Sequence, residues 1–160
     1  MDKLWAPWRI KYVGAINNKK GCIFCQAKND RAEKQVIFKT KHSVAMLNIF
    51  PYNNGHMLIA PRAHVRDIVK LNDSEILDLI GALIKAKKLL EKVLKPDGFN
   101  IGLNLSRASG AGITDHMHVH IVPRWVGDTN FMATVSKTKV ISQSLEELAK
   151  RLKKCLKTEK

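Results

Sequence analysis

A chain of 160 residues and 18.1 kDa is sized for one domain and long enough to bury a core without disulfide staples. Its 45% apolar and 26% charged content is ordinary for a globular protein, and three cysteines with 9 Gly and 5 Pro exclude a disulfide-dense scaffold, a collagen-like repeat and a low-complexity chain. Charge is the unusual number: 28 Lys plus Arg against 14 Asp plus Glu gives +14 and a pI near 9.9, a field that favours nucleotides, nucleic acid or an anionic surface.

The chain opens with Trp5, Pro7, Trp8, Ile10 and Tyr12 among basic residues. Pro7 disfavours one continuous helix, so an irregular arm is expected, its tryptophans buried against the domain or a second subunit. Cys22 and Cys25 follow as a CxxC pair, which alone fits redox chemistry, metal binding or neither. Val36–Phe38 and Val44–Ile49 read as strands joined by the polar turn 40–43. Pro51 to Gly55 is a loop by turn chemistry, and His56–Ala60 a short apolar strand stopped by Pro61.

Residues 73–95 carry the clearest helical pattern. Asn72 or Asp73 caps it, Glu75 suits the positive first turn, and Pro96 with Gly98 stops it. Its expected buried stripe is Ile76, Leu79, Ile80, Leu83, Leu90, Val93 and Leu94. Phe99–Leu105 alternates as a strand with Ile101, Leu103 and Leu105 on one side. A small-residue loop with Gly110 and Gly112 leads to a strand at His116–Val122, ended by Pro123. A second helix spans Leu145–Leu156 on Leu145, Leu148, Leu152 and Leu156, with Cys155 an ordinary core or interface thiol.

Several strands, one long helix and no βαβ alternation predict an α+β fold with an antiparallel sheet. Residues 1–160 read as one domain: an arm with the CxxC at 1–35, a core at 36–125, and a C-terminal extension with a helix at 126–160. No segment approaches ~20 consecutive apolar residues, so no membrane span is expected. With no export signal in view, the expected address is the cytoplasm.

The segment from Asp115 to Arg124 holds half of the 6 histidines. On a strand, His116, His118 and His120 share one face while Met117, Val119 and Ile121 enter a core. Three imidazoles at period two suit a metal site, nucleophilic catalysis by one ring, or a pH-sensitive surface. The neighbours favour phosphate: Asn104, Ser106 and Ser109 precede the histidines with two glycines that let backbone N–H groups approach an anion, and Arg124 follows. A neutral imidazole can attack phosphorus to give a phosphoramidate, which water or another acceptor then opens. The other side chains need only position the phosphate and stabilise its charge, so no catalytic metal is required.

HMHVHIV at 116–122 resembles the motif of the histidine-triad nucleotide-binding family, and MLNIFPYNNGHMLIAPRAH at 46–64 resembles a second block of that family. LWAPWRIKYV at 4–13, CIFC at 22–25 and PRWVGDTNFM at 123–132 are similar to the branch near the fragile-histidine-triad hydrolases and the diadenosine tetraphosphate phosphorylases. The resemblance implies a half-barrel of about five antiparallel strands, joined edge to edge in a homodimer. It implies purine nucleotide binding and cleavage of dinucleoside polyphosphates or related adenylates at the α-phosphate through a nucleotidyl-histidine. His118 is then the nucleophile, and His120 and His56 bind phosphate or orient it. Asn48 holds the ribose, Asn104 contacts phosphate or leaving group with Gly110 and Gly112 nearby, and Trp125 lines the nucleotide pocket. His116, at the edge of the row, turns toward a metal instead, joining Cys22, Cys25 and His64 in a structural zinc site.

Ala111-Gly112-Ile113-Thr114 departs from that family, whose members often place Gln, Ser or Thr there; this leaves water and inorganic phosphate both open as acceptor. Two other readings compete. One is a basic nucleotide or nucleic-acid binding module without turnover, disfavoured because the lysines are scattered and aromatics are only 6%. The other is a dithiol redox protein using Cys22 and Cys25.

Overall fold

In this computed structural model residues 21–28, 35–129 and 141–158 are described. The expectations for Trp5 and Trp8 lie outside them. A short helix α1 (Ile23–Lys28) precedes strands β1 (Val36–Lys39), β2 (Ser43–Leu47) and β3 (Met57–Pro61). A 3-10 turn (Ile68–Lys70) leads into helix α2 (Asp73–Leu94); strands β4 (Gly98–Leu103) and β5 (Val119–Arg124) and helix α3 (Leu145–Lys157) complete the order. The five strands form one open antiparallel sheet in the order β1-β2-β3-β5-β4. The fold is α+β, as its sequence pattern predicts. No helix among the described residues is long and apolar enough to cross a membrane.

Strand alternation divides the core in two. Ala45, Leu47, Met57, Ile59, Val119 and Ile121 face one side, where Leu79, Ala82, Ala86, Leu89 and Leu90 of α2 and Leu148, Ala149 and Leu152 of α3 bury them. Val44, Met46, Leu58 and Ala60 face the other side and pack on Phe24 and Ala27 of α1. Ile37 and Phe38 are neighbours in sequence yet both join the α2 side. A register shift between Val36 and Phe38 permits this, since a bulge re-aims one side chain.

Helix α2 starts on a reciprocal cap: Asn72 accepts from the Glu75 N–H at 3.0 Å, and Glu75 accepts from the Asn72 N–H at 3.0 Å. Its buried stripe differs from expectation. Ile80 is 48% exposed, and Ala82, Ala86 and Leu89 are buried instead. The sheet lies close enough that alanines fill the contact, and the apolar stripe is rotated away from Ile80. Arg151 of α3 donates to the Val93 carbonyl at 2.8 Å, placing a cation at the negative end of α2.

Strand boundaries differ as well: β2 ends at Leu47 rather than Ile49, and β3 runs Met57–Pro61, including the proline expected to stop it. β4 ends at Leu103 rather than Leu105, and Ile101 and Leu103 are exposed on this edge strand. β5 begins at Val119, so His116 and His118 precede it, and it runs through Pro123. The Pro123 carbonyl accepts from Asn53 Nδ2 at 3.0 Å, on the side where pairing with β3 has already ended at Met57 and Ile121. A strand residue turns its N–H and C=O the same way, so the missing N–H of proline breaks no ladder bond there.

Candidate functional site

The register Leu58 opposite His120 sets the site. It puts His120 on the α1 side of the sheet, and His56, two residues before Leu58, becomes its diagonal neighbour. Their rings lie 5.1 Å apart between centroids, and His56 Nε2 meets His120 Nδ1 at 2.9 Å. His118 follows the same alternation, 4.9 Å from the His120 ring.

His116 leaves the row, because the segment before Val119 pairs with no strand. The Met117 N–H bonds the Val65 carbonyl at 2.7 Å instead, and the His116 ring meets His64 edge-on with centroids 5.0 Å apart. The continuous file of three imidazoles expected along one strand is thus two separate groups.

The first group is His116, His64, Cys22 and Cys25. Cys22 and Cys25 lie one helical turn apart at the start of α1, where the Gln26 N–H bonds the Cys22 carbonyl at 3.0 Å. His116 Nδ1 lies 3.3 Å from Cys22 Sγ, 3.8 Å from Cys25 Sγ and 3.2 Å from His64 Nδ1; Cys25 Sγ is 3.2 Å from His64 Nδ1. All four donor atoms fall within 4.8 Å of one another. The buried His116 donates from Nε2 to the Pro61 carbonyl at 2.8 Å, which leaves the Nδ1 lone pair facing the thiols. A backbone carbonyl that fixes the ligand tautomer, two thiols and two imidazoles fit a structural zinc ion.

The second group is His118, His120 and His56. His118 Nδ1 donates to the His116 carbonyl at 3.0 Å, so Nε2 carries the lone pair. Burial lowers the His118 pKa, keeping the ring neutral. Asn48 is buried beside the fully buried His56. Two aromatic residues not singled out as candidates from the sequence frame the group: Phe24, 5.0 Å from both His116 and His118, and Tyr52, 4.7 Å from His56 and stacked on His120 at 5.9 Å. Both lie inside the motif blocks at 22–25 and 46–64, but their place beside the rings comes from the packing of α1 and of the 51–55 loop.

The other candidates sit further out. Asn104, Gly110 and Gly112 lie half-buried in the loop from the end of β4 toward His116, and Gly110 adopts φ +84° there. Trp125 stands just past β5, five residues or ~17 Å along the strand from His120. Its turn is closed by the Asp128 N–H on the Trp125 carbonyl at 3.0 Å.

Burial, with the charges that His120 and His118 would add, lowers the His56 pKa from 6.5 to about 3. Between those two pH values the unfolded chain binds a proton on this ring that the folded chain refuses. Its stability contribution is complete above the window and is lost as pH falls through it, by on the order of 5 kcal/mol. Thermal unfolding across this range is expected to show an acid loss that flattens in His56→Gln. An unchanged slope in the variant would assign the loss to other groups.

The HIT domain matches residues 29–126. An AP-4-A phosphorylase of Mycobacterium tuberculosis is 34% identical over 161 residues, covering 95% of this chain and 83% of its own. A bis(5'-nucleosyl)-tetraphosphatase [asymmetrical] of Schizosaccharomyces pombe is 36% identical over 94 residues, 59% of this chain and 51% of its own. Among solved structures, a Zn-bound histidine triad family protein from Mycobacterium smegmatis superposes with a TM-score of 0.70 at 24% identity, covering 87% of this chain and 95% of that one. With its folded core matched by that domain and its length shared with the mycobacterial relative, the chain belongs to the HIT family.

Proposed function

We propose that the chain cleaves dinucleoside polyphosphates of the diadenosine tetraphosphate kind, or related adenylates, at the α-phosphate, with His118 as nucleophile. The observation that carries this reading is the neutral, tautomer-fixed His118 ring, with its Nε2 lone pair available and His120 beside it. The Nε2 pair attacks the α-phosphorus as the P–O bond to the leaving polyphosphate breaks, and the leaving oxygen keeps the bonding electrons. The nucleoside monophosphate stays on Nε2 as a phosphoramidate until water or phosphate displaces it and restores the ring. Asn104 and the backbone around Gly110 and Gly112 bind the phosphates. The names phosphorylase and tetraphosphatase among the relatives imply different acceptors, so both are tested.

Cys22, Cys25, His64 and His116 would hold zinc. The ion would supply a structural cross-link between α1, the residues after β3 and the segment carrying His118. The exposed Ile101 and Leu103 on the β4 edge support a homodimer formed across that edge.

Incubation with diadenosine tetraphosphate is expected to yield ATP plus AMP if water is the acceptor, and ATP plus ADP, only with added phosphate, if phosphate is. His118→Ala should lose at least ~1000-fold in kcat. No turnover of any adenylate by the wild-type protein would remove the catalytic reading. Elemental analysis should find one zinc per chain, absent in Cys22→Ser. In sedimentation the protein should run as a dimer that Ile101→Lys shifts to monomer; a wild-type monomer would refute the edge contact.

A further inference from the structure

We propose that Asn48 is a positioning residue that, acting through His56, fixes His120 as a hydrogen-bond donor beside the nucleophile. This rests on the cleavage reading above and gives Asn48 a role beyond holding a ribose.

The chain of constraint starts at a group with no choice. The Tyr52 backbone N–H can only donate, and it lies 3.1 Å from His56 Nδ1. The Asn48 side chain reaches the same nitrogen at 3.2 Å. Its Oδ1 is already committed, accepting from the Phe50 N–H at 2.9 Å, so the amide presents its NH2 to His56. Two donors converging on one ring nitrogen require a lone pair there, and the neutral His56 ring must carry its proton on Nε2. Nε2 lies 2.9 Å from His120 Nδ1, which must then accept. The proton of a neutral His120 is thereby forced onto Nε2.

His56 is fully buried and Asn48 nearly so, leaving no bulk water to offer an alternative partner. An N–H set beforehand, beside a ring that attacks phosphorus, stabilises charge on a phosphoryl oxygen without reorganising at the moment of reaction. The Asn48 amide gives one N–H to His56 and accepts the Phe50 N–H on Oδ1, which fixes its orientation. An Asp in its place would put an acceptor against the His56 lone pair and oppose the required tautomer.

Two variants separate the relay from a ribose contact. Asn48→Ala removes one donor and leaves Tyr52 to hold the tautomer. Asn48→Asp replaces a donor with an acceptor. The relay predicts kcat in the order wild type, Asn48→Ala, Asn48→Asp, about 3-fold and then about 100-fold below wild type, with KM within about 2-fold. A ribose contact without the relay predicts the reverse order, because a carboxylate still accepts from ribose hydroxyls, with the loss in KM. Nitrogen-15 NMR of the histidine rings gives a readout independent of turnover. In the wild-type protein His56 and His120 should both be protonated on Nε2, and Asn48→Asp should move the proton on His56. Nδ1-protonated His56 in the wild type, unaltered rings in a folded Asn48→Asp, or the reverse kcat order would overturn the relay. Absent turnover in the wild type alongside the expected ring signals would overturn the cleavage reading while leaving the tautomer relay standing.

Discussion

Three ladder pairs between β3 and β5, Met57 with Ile121, Leu58 with His120 and Ile59 with Val119, decide which side of the sheet each ring of the site occupies. Side chains alternate, so a slip of one residue would drive His120 into the dry layer beneath α2 and push Ile121 out of it. That slip is opposed by the whole apolar set on the α2 side, where Met57, Ile59, Val119 and Ile121 are buried together. The position of the imidazole group is therefore held by hydrophobic packing on the opposite face of the same strands. A charged imidazolium has no place in it: burial depresses the pKa of His56, His116 and His118 alike. The +14 of the chain suits attraction of a polyanion, while the proposed chemistry is left to uncharged rings.

The site is organised by backbone groups as much as by side chains. The carbonyls of His116 and Pro61 set the tautomers of His118 and His116, and the Tyr52 N–H sets that of His56. Backbone donors and acceptors cannot exchange roles, so each ring they touch has one allowed protonation pattern. Gly55 allows the loop carrying Tyr52 to turn tightly against α2. It adopts φ +76°, and a Cβ there would lie 2.5 Å from Leu94 Cδ1 and 3.0 Å from Pro123 Cγ.

Much of this was legible in the residue order. Alternation at Met117, Val119 and Ile121 marks the buried side of β5, and Asn72 with Glu75 marks the start of α2. The closeness of helix to sheet was not legible, because alanine carries little hydrophobic signal; Ala82 and Ala86 are buried where Ile80 was expected. Helix α1 is too short for a periodic pattern to show. Motif spacing made His56, His118 and His120 candidates, but their protonation states depend on N–H and C=O directions that exist only once the chain is folded. The same limit hid Tyr52 and Phe24, which enter the site through packing.

Residue 116 faces two ways. Its imidazole belongs to the thiol cluster, whereas its carbonyl orients the His118 ring. Every amino acid supplies that carbonyl, so a lineage can discard the cysteines and replace His116 without surrendering the hydrogen bond on His118. The thiol cluster is thus an attachment that descent can add or shed, while the orientation of the neighbouring ring is inherited with the peptide chain itself.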